Sequence, residues 1–271
     1  MLAAALVDYL PVATTVVAVA FSVVLYRHWR RRPGVRYILW WMIGVIMFGL
    51  GTLTEAAVAL WGWQPWLFRA WYLSGALLGG APLAQGTVYL VHSRRTADRL
   101  AFALVLFVAV AGTFVLLTPV TPLASDPNAL TGRVMAWSWI RLFTPFVNTY
   151  ALAYLVGGAA WSAVRYKRKG EGSKGRAVGN TLIALGGLAP GIGGLFTRFG
   201  RVEVLFVTEL IGLTLIWLGY RTIVVDRSPS VYPNQTLVAA LTGWTTTPSP
   251  PDAPPARARA SRRPYAPRRA R

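Results

Sequence analysis

The feature that most constrains this chain is a series of apolar blocks, several of about 18 residues or more with few charges. A block of that length spans the roughly 30 Å hydrocarbon core of a bilayer as a helix. Only 14% of the residues are charged, whereas an average soluble domain has roughly 25%. We therefore predict an all-α integral membrane protein, a bundle of seven transmembrane helices at 9–26, 37–60, 66–91, 100–117, 135–164, 177–196 and 202–225.

The basic residues predict how this bundle is oriented. With the N-terminus outside, the inner loops and the C-terminal segment hold 23 of the 28 lysine and arginine residues, and the outer side holds five. Basic residues near membrane spans are retained on the cytoplasmic side. The pattern therefore predicts an odd number of spans, an outer N-terminus and a cytoplasmic C-terminus. We expect a multi-pass protein of the bacterial cytoplasmic (inner) membrane.

The composition changes after the last apolar block. We divide the chain into a transmembrane domain, 1–227, and a cytoplasmic tail, 228–271, which is rich in proline, alanine and arginine and is predicted to be disordered. Seven arginines fall within 257–271. Such a segment is attracted to anionic lipid headgroups of the inner leaflet. Nucleic-acid binding is not expected, because no folded module accompanies the arginines.

Four ionisable residues interrupt the predicted spans, and all lie in the outer half of the membrane: Glu55, Arg69, Arg141 and Glu209. Ionisable groups at such positions usually face the interior of a bundle or a water-filled cavity. Two acids and two bases at a similar depth can neutralise one another. Two interpretations follow: an outer cavity for a small anionic or zwitterionic ligand, or interhelical ion pairs that hold the bundle together.

Helical spacing adds further polar residues to this level. Tyr72 follows Arg69 by three residues and shares its face. In the fifth span, a polar stripe predicted to point inward recurs every three or four residues, at Trp137, Arg141, Thr144 and Asn148. The candidate ligand-binding residues are thus Glu55, Arg69, Tyr72, Arg141, Asn148 and Glu209.

Small residues indicate where helices pack closely. Gly75 and Gly79 in the third span form a GxxxG pattern, as do Gly187 and Gly191 in the sixth. This pattern lets two helix backbones approach each other in a membrane. We predict close helix contacts at both places.

Several classes of function lack their required residues. The chain has no cysteine, and all three of its lysines lie at 167–174, so the last span cannot form the Schiff base of a retinal protein. No zinc-protease motif, phosphate-binding loop or nucleophile with a base at a recognisable spacing is present. We predict a protein that is not an enzyme and carries no cofactor or metal.

Several local features follow one another along residues 10–230: the basic loop 30–36, Glu55, the segment 69–75 with Pro82, the segment 186–190, and the exit from the seventh span at 219–221 with Asp226 and Pro229. In this order they resemble the seven-helix N-terminal sensor region of bacterial membrane histidine kinases. In that family the seventh helix leads into a sensory or kinase domain. Here it leads only to the tail, without a phosphoacceptor histidine or nucleotide-binding glycine boxes. The resemblance implies a stand-alone sensor-like bundle without kinase activity.

The leading hypothesis is a membrane sensor or receptor-like protein in signal transduction, which binds a small molecule in an outer-half polar pocket. A partner protein in the membrane or cytoplasm would receive the signal. The alternatives are a small-solute transporter or channel, and a structural or assembly subunit of a membrane complex. A transporter needs a polar path through the inner half as well, for which the candidates are Gln85, Tyr154 and Asn180.

Overall fold

The computed structural model describes residues 7, 9–125, 129–170 and 173–226, apart from the side chain of residue 198. The predicted tail, 228–271, lies outside the described residues. Within the described part the chain is helical, and its nearest approach to a sheet is an isolated antiparallel bridge between Val120 and Met135. The α-helices are α1 (Leu10–Arg31), α2 (Arg36–Trp61), α3 (Pro65–Trp71), α4 (Ala81–Val91), α5 (Arg94–Leu117), α6 (Phe143–Ala151), α7 (Gly158–Arg168), α8 (Lys174–Phe196) and α9 (Val202–Val225).

Five of these helices, α1, α2, α5, α8 and α9, are long and apolar enough to cross a membrane. They coincide with five of the predicted spans, so the prediction of apolar membrane-type helices is confirmed for them. Many of their large apolar side chains are exposed, including Phe102 and Leu117 on α5. That is the outward face expected of a helix whose surroundings are lipid rather than water.

The predicted third and fifth spans have a different build, because each consists of several shorter helical pieces. In the former, α3 continues into a π-helix (Tyr72–Leu77), and a break at 78–80 separates this from α4. In the latter, a 3₁₀-helix (Ser138–Leu142) precedes α6, a second π-helix (Leu152–Gly157) and α7. The two segments pack together, since Gly80 faces Ala151 and Gly158 faces Thr87.

The order of helices around the bundle follows from their contacts. α1 packs along α2, α2 along α4, and α8 along α9, while α9 also contacts α1, so the first and last of these helices are neighbours. Phe21 of α1 stacks on Trp217 of α9 with ring centroids 5.6 Å apart. α5 lies at the periphery, with few contacts to the long helices.

Glycines spaced seven residues apart bring α8 and α9 together. A Cβ atom on Gly186 would lie 2.5 Å from the carbonyl oxygen of Gly212, and one on Gly179 would lie 2.7 Å from that of Gly219. The second glycine pair lies seven residues from the first on both helices, and the two helices are antiparallel. A spacing of seven returns to nearly the same face of a helix after two turns, which keeps the seam on one side.

The predicted GxxxG contact in the sixth span is found at Gly187 but not at Gly191. A Cβ atom on Gly191 would meet nothing within 4 Å, and one on Gly187 would meet the Leu155 side chain at 3.1 Å. The backbone-to-backbone contact uses the spacing of seven instead. In the third span Gly75 does lie at a close helix contact, with Gly51 of α2, whereas Gly79 faces the carbonyl of Gly75 in its own turn.

Candidate functional site: a buried carboxyl pair

Of the six predicted site residues, the structure brings two together, Glu55 of α2 and Glu209 of α9. Glu55 is 4% exposed, Glu209 is half-buried, and the two carboxyl groups are direct neighbours. A carboxylate only accepts hydrogen bonds, so this contact is favourable only when one of the two carries a proton. The pair joins two helices that are far apart in the sequence.

Trp71, the last residue of α3, completes the arrangement. Its indole Nε1 donates a hydrogen bond of 2.8 Å to Oε1 of Glu55. The ring also contacts Phe68 and Tyr72, with centroids 6.0 Å away in each case. Trp71 was not among the predicted site residues, although its position one turn before Gly75 places it at a close helix contact.

A close backbone approach places Trp71 beside Glu55. A Cβ atom on Gly51 would lie 2.9 Å from the Cα atom of Gly75, so the two backbones are nearly in contact there. Glu55 lies one helical turn after Gly51, and Trp71 lies one turn before Gly75. Because the segments run in opposite directions, these steps lead to the same level of the bundle.

One oxygen of each carboxyl lacks a hydrogen-bond donor. Oε2 of Glu55 and Oε2 of Glu209 are both buried without a partner. Arg36 and Asp98 form an ion pair elsewhere in the bundle, whereas among the described side chains no arginine or lysine is paired with either glutamate. The expected mutual neutralisation of two acids and two bases is therefore wrong. Two adjacent carboxyls repel when both are ionised, so the arrangement suits a proton or a cation rather than an anion.

Arg69 has a different role from the one expected. Its Nη2 donates to the carbonyl oxygen of Thr118, 3.1 Å away, just beyond the last residue of α5. Carbonyl groups at a helix C-terminus have no partner within the helix and carry partial negative charge, which a guanidinium stabilises. Arg69 thus caps α5. Its buried Nε has no acceptor.

The predicted polar stripe of the fifth span does not point inward as a unit. Thr144 is hydrogen-bonded to the hydroxyl of Tyr72 at 2.7 Å, whereas Trp137, Arg141 and Asn148 are exposed. Arg141 donates from Nε to the carbonyl of Ser138, 3.0 Å away. For Trp137 and Arg141 the reason is the 3₁₀-helix Ser138–Leu142, whose three residues per turn break the 3.6-residue spacing. Asn148 shares an α-helix with Thr144 and is exposed all the same.

A second polar contact lies between the two segmented spans. Gln85 of α4 is fully buried; its Oε1 accepts from the Tyr150 hydroxyl at 2.5 Å, and its Nε2 donates to the carbonyl of Ala97 at 3.0 Å. Both of these side-chain hydrogen bonds are to other protein groups. Gln85 therefore holds α4, α5 and α6 together.

Asp98, near the start of α5, offers a contrast to the glutamate pair. Its Oδ1 accepts from the Tyr89 hydroxyl at 2.6 Å and from the guanidinium of Arg36. The side chains of Arg36 and Asp98 are 43% and 41% exposed. This cluster joins the first residue of α2 to α4 and α5.

Within the part of the chain that the structure describes, no three histidine, aspartate or glutamate side chains are grouped as a metal site. In comparisons with protein families, curated proteins and solved structures, the chain matches none of them. The interpretation of the site therefore depends on its own geometry.

Proposed function

We propose that this chain is a multi-pass protein of a bacterial inner membrane with seven spans, its N-terminus outside and its C-terminus in the cytoplasm. The five long apolar helices supply five crossings, and the segmented runs 65–91 and 138–168 supply the other two. The distribution of arginine and lysine supports this orientation. The glutamate pair then lies in the outer half of the membrane.

Within this frame we propose a non-catalytic, sensor-like function in which the Glu55–Glu209 pair responds to a proton or a small cation. The observation that carries the proposal is the contact between two carboxyls on different helices, a buried Glu55 and a half-buried Glu209, with no described basic side chain against either. Intramembrane ionisable groups are costly, so their placement against each other needs a compensating partner. A proton or cation between them is the simplest partner.

Binding of a proton or cation by the glutamate pair would control the separation of α2 and α9. When a proton or cation lies between the carboxyls, α2 and α9 are held together; when it leaves, repulsion favours their separation. A ligand shifts such an equilibrium by its difference in affinity for the two states. At the other end of α9, Oδ2 of Asp226 accepts from the backbone N–H of Arg176 at the start of α8, 2.7 Å away. Movement of α9 would therefore carry α8 with it.

Spin-label distances would test this proposal directly. The chain has no cysteine, so labels can be placed at Trp61→Cys, beyond Glu55 on α2, and at Val202→Cys, at the start of α9. We expect the distance between labels in nanodiscs to change between low and high pH, or on addition of Na⁺. Glu55→Gln with Glu209→Gln should abolish the change. An unchanged distance in the parent protein under all these conditions would contradict the sensor proposal.

Infrared spectroscopy would test the protonation state itself. We expect a protonated-carboxyl band in the parent protein that Glu55→Gln and Glu209→Gln each remove. Asp98→Asn serves as the control, because Asp98 is paired with Arg36 and should contribute no such band. A band that persists in both glutamine variants would place the proton elsewhere.

A second candidate, a proton- or cation-coupled transporter, is favoured by the break at 78–80 between the π-helix and α4. Interrupted spans commonly surround substrate sites in transporters. After this break, Gln85 of α4 is hydrogen-bonded to Tyr150 of α6, which belongs to the other segmented run. Proteoliposomes loaded with a pH-sensitive or Na⁺-sensitive dye would distinguish the candidates: net flux lost in Glu209→Gln supports transport, and absence of flux with a changing label distance supports sensing.

A further inference from the structure

A surface groove between α1 and α2 is lined by none of the six predicted site residues. It has a volume of about 400 Å³. Its walls are the exposed apolar side chains Val19 and Val23 of α1 and Ile46, Leu50 and Leu53 of α2. Apart from Thr15 and Ser22, the lining is apolar.

Small residues form the floor of the groove. A Cβ atom on Gly49 would lie 2.8 Å from the Cβ atom of Ala18, so the helices touch there with almost no side chain between them. The larger side chains on either side then stand above the contact. The result is an open groove along the surface of the two helices.

The length of the groove matches one leaflet of a bilayer. Its lining on α1 runs from Thr15 to Tyr26, which is about 16 Å at roughly 1.5 Å per residue. Half of the hydrocarbon core is about 15 Å. An acyl chain that lies in the groove would thus extend from the headgroup level to the middle of the membrane.

One end of the groove is basic. Tyr26 lines that end, and the guanidinium carbon of Arg30 lies 5.9 Å from the centre of its ring. Arg30 follows Tyr26 by one turn and is exposed, as is the adjacent Arg27. These residues would meet the headgroup of a lipid whose chain fills the groove.

We propose that the α1–α2 groove is a binding site for an anionic phospholipid, with one acyl chain against Val19, Val23 and Leu50 and the phosphate near Arg30. The match of apolar length to one leaflet and of the basic end to an anionic headgroup carries the proposal. A neutral lipid would fill the groove without the contact to Arg30.

Native mass spectrometry of the full chain in mild detergent would test the site, with titrations of dioleoyl phosphatidylglycerol and dioleoyl phosphatidylcholine. We expect Arg30→Gln to lower the preference for phosphatidylglycerol roughly five-fold, in line with the usual contribution of one basic residue near an anionic headgroup. Val19→Trp, which fills the groove, should lower the binding of both lipids.

Matched controls sit on α5. Arg95→Gln removes another exposed arginine, and Val105→Trp adds an indole to another exposed apolar surface. Neither should change lipid binding. Equal effects of test and control variants would show only general lipid attraction and overturn the proposal. A dimer that Val19→Trp dissociates would also overturn it, because the groove would then belong to a contact between two copies of the chain.

Discussion

Asp98 and the Glu55–Glu209 pair are carboxyl groups at contacts between helices, yet their surroundings differ. Asp98 has a guanidinium and a phenol as partners, and its side chain is 41% exposed. Glu55 has an indole and another carboxyl as partners, and it is buried. Asp98 thus has both a positive charge and a hydroxyl donor against its carboxylate. The glutamate pair has no positive charge against it within the described part of the chain, and that difference distinguishes a candidate site from a structural ion pair.

Gly51→Ala should break the buried site with the largest effect. The new Cβ atom would lie 2.9 Å from the Cα atom of Gly75, and backbone atoms cannot rotate away. Overpacking of this kind typically costs about 1–3 kcal/mol. We expect a lower melting temperature in detergent and a weaker Trp71–Glu55 contact. Gly191→Ala is the control, since nothing lies within 4 Å of its Cβ position; an equal loss in both would show that the contact with Gly75 is not the cause.

Trp71→Phe should remove the single neutral donor to the buried pair that the structure describes. Glu55 would keep its buried position but lose the hydrogen bond to Oε1, at a cost of about 1–3 kcal/mol. Trp61→Phe is the matched control, because Trp61 is 76% exposed. Thermal unfolding of both variants measures the difference. A stability loss in Trp61→Phe as large as that in Trp71→Phe would speak against a special role of the indole.

Glu209→Gln should stabilise the folded protein. The amide supplies a permanent donor to Glu55 and removes one of two adjacent acids, a gain of about 1 kcal/mol. The matched substitution at the exposed site, Asp98→Asn, removes a charge that has a partner and should not stabilise. If Glu209→Gln lowers the unfolding temperature, then an unseen positive partner balances the pair, and the contrast with Asp98 disappears.

Asp98→Asn should have the smallest effect, below about 1 kcal/mol, because exposed ion pairs contribute little. Asparagine can still accept from the Tyr89 hydroxyl. The difference from the parent protein should shrink further as salt is raised, because salt screens exposed charges. Measurements of unfolding at low and high salt would show this. A large salt-independent loss would mean that this cluster is more like the buried site than its exposure indicates.

Helix positions were far more predictable from the sequence than the partners of the polar side chains. Apolar length and flanking charge predicted helices that the structure places within a few residues, such as 202–225 for α9. For Glu55 and Glu209, the sequence predicted a similar depth in the membrane but no contact. Depth follows from position along a helix, whereas contact also depends on how each helix is rotated about its axis. Arg141 shows why rotation was missed: a 3₁₀-helix changes the angle between successive side chains.

The π-helices have a similar effect on face assignments. A wider turn shifts all later side chains around the axis relative to a regular α-helix. Residues before and after Tyr72–Leu77 therefore cannot be assigned to one face by counting threes and fours. The seven-residue glycine spacing of α8 and α9 was visible in the sequence, but the shorter GxxxG pattern was considered instead.

The glycine seam between α8 and α9 also restricts how these helices can move. A slide by one turn would bring residues such as Ile183 of α8 and Ile216 of α9 to positions now held by glycine, where backbones nearly touch. A ratchet of one helix past the other, one known form of switching, is therefore blocked for this pair. The last two helices would tilt as one rigid lever, and Asp226 at the C-terminal end of α9 would move in proportion to Glu209 in its N-terminal half.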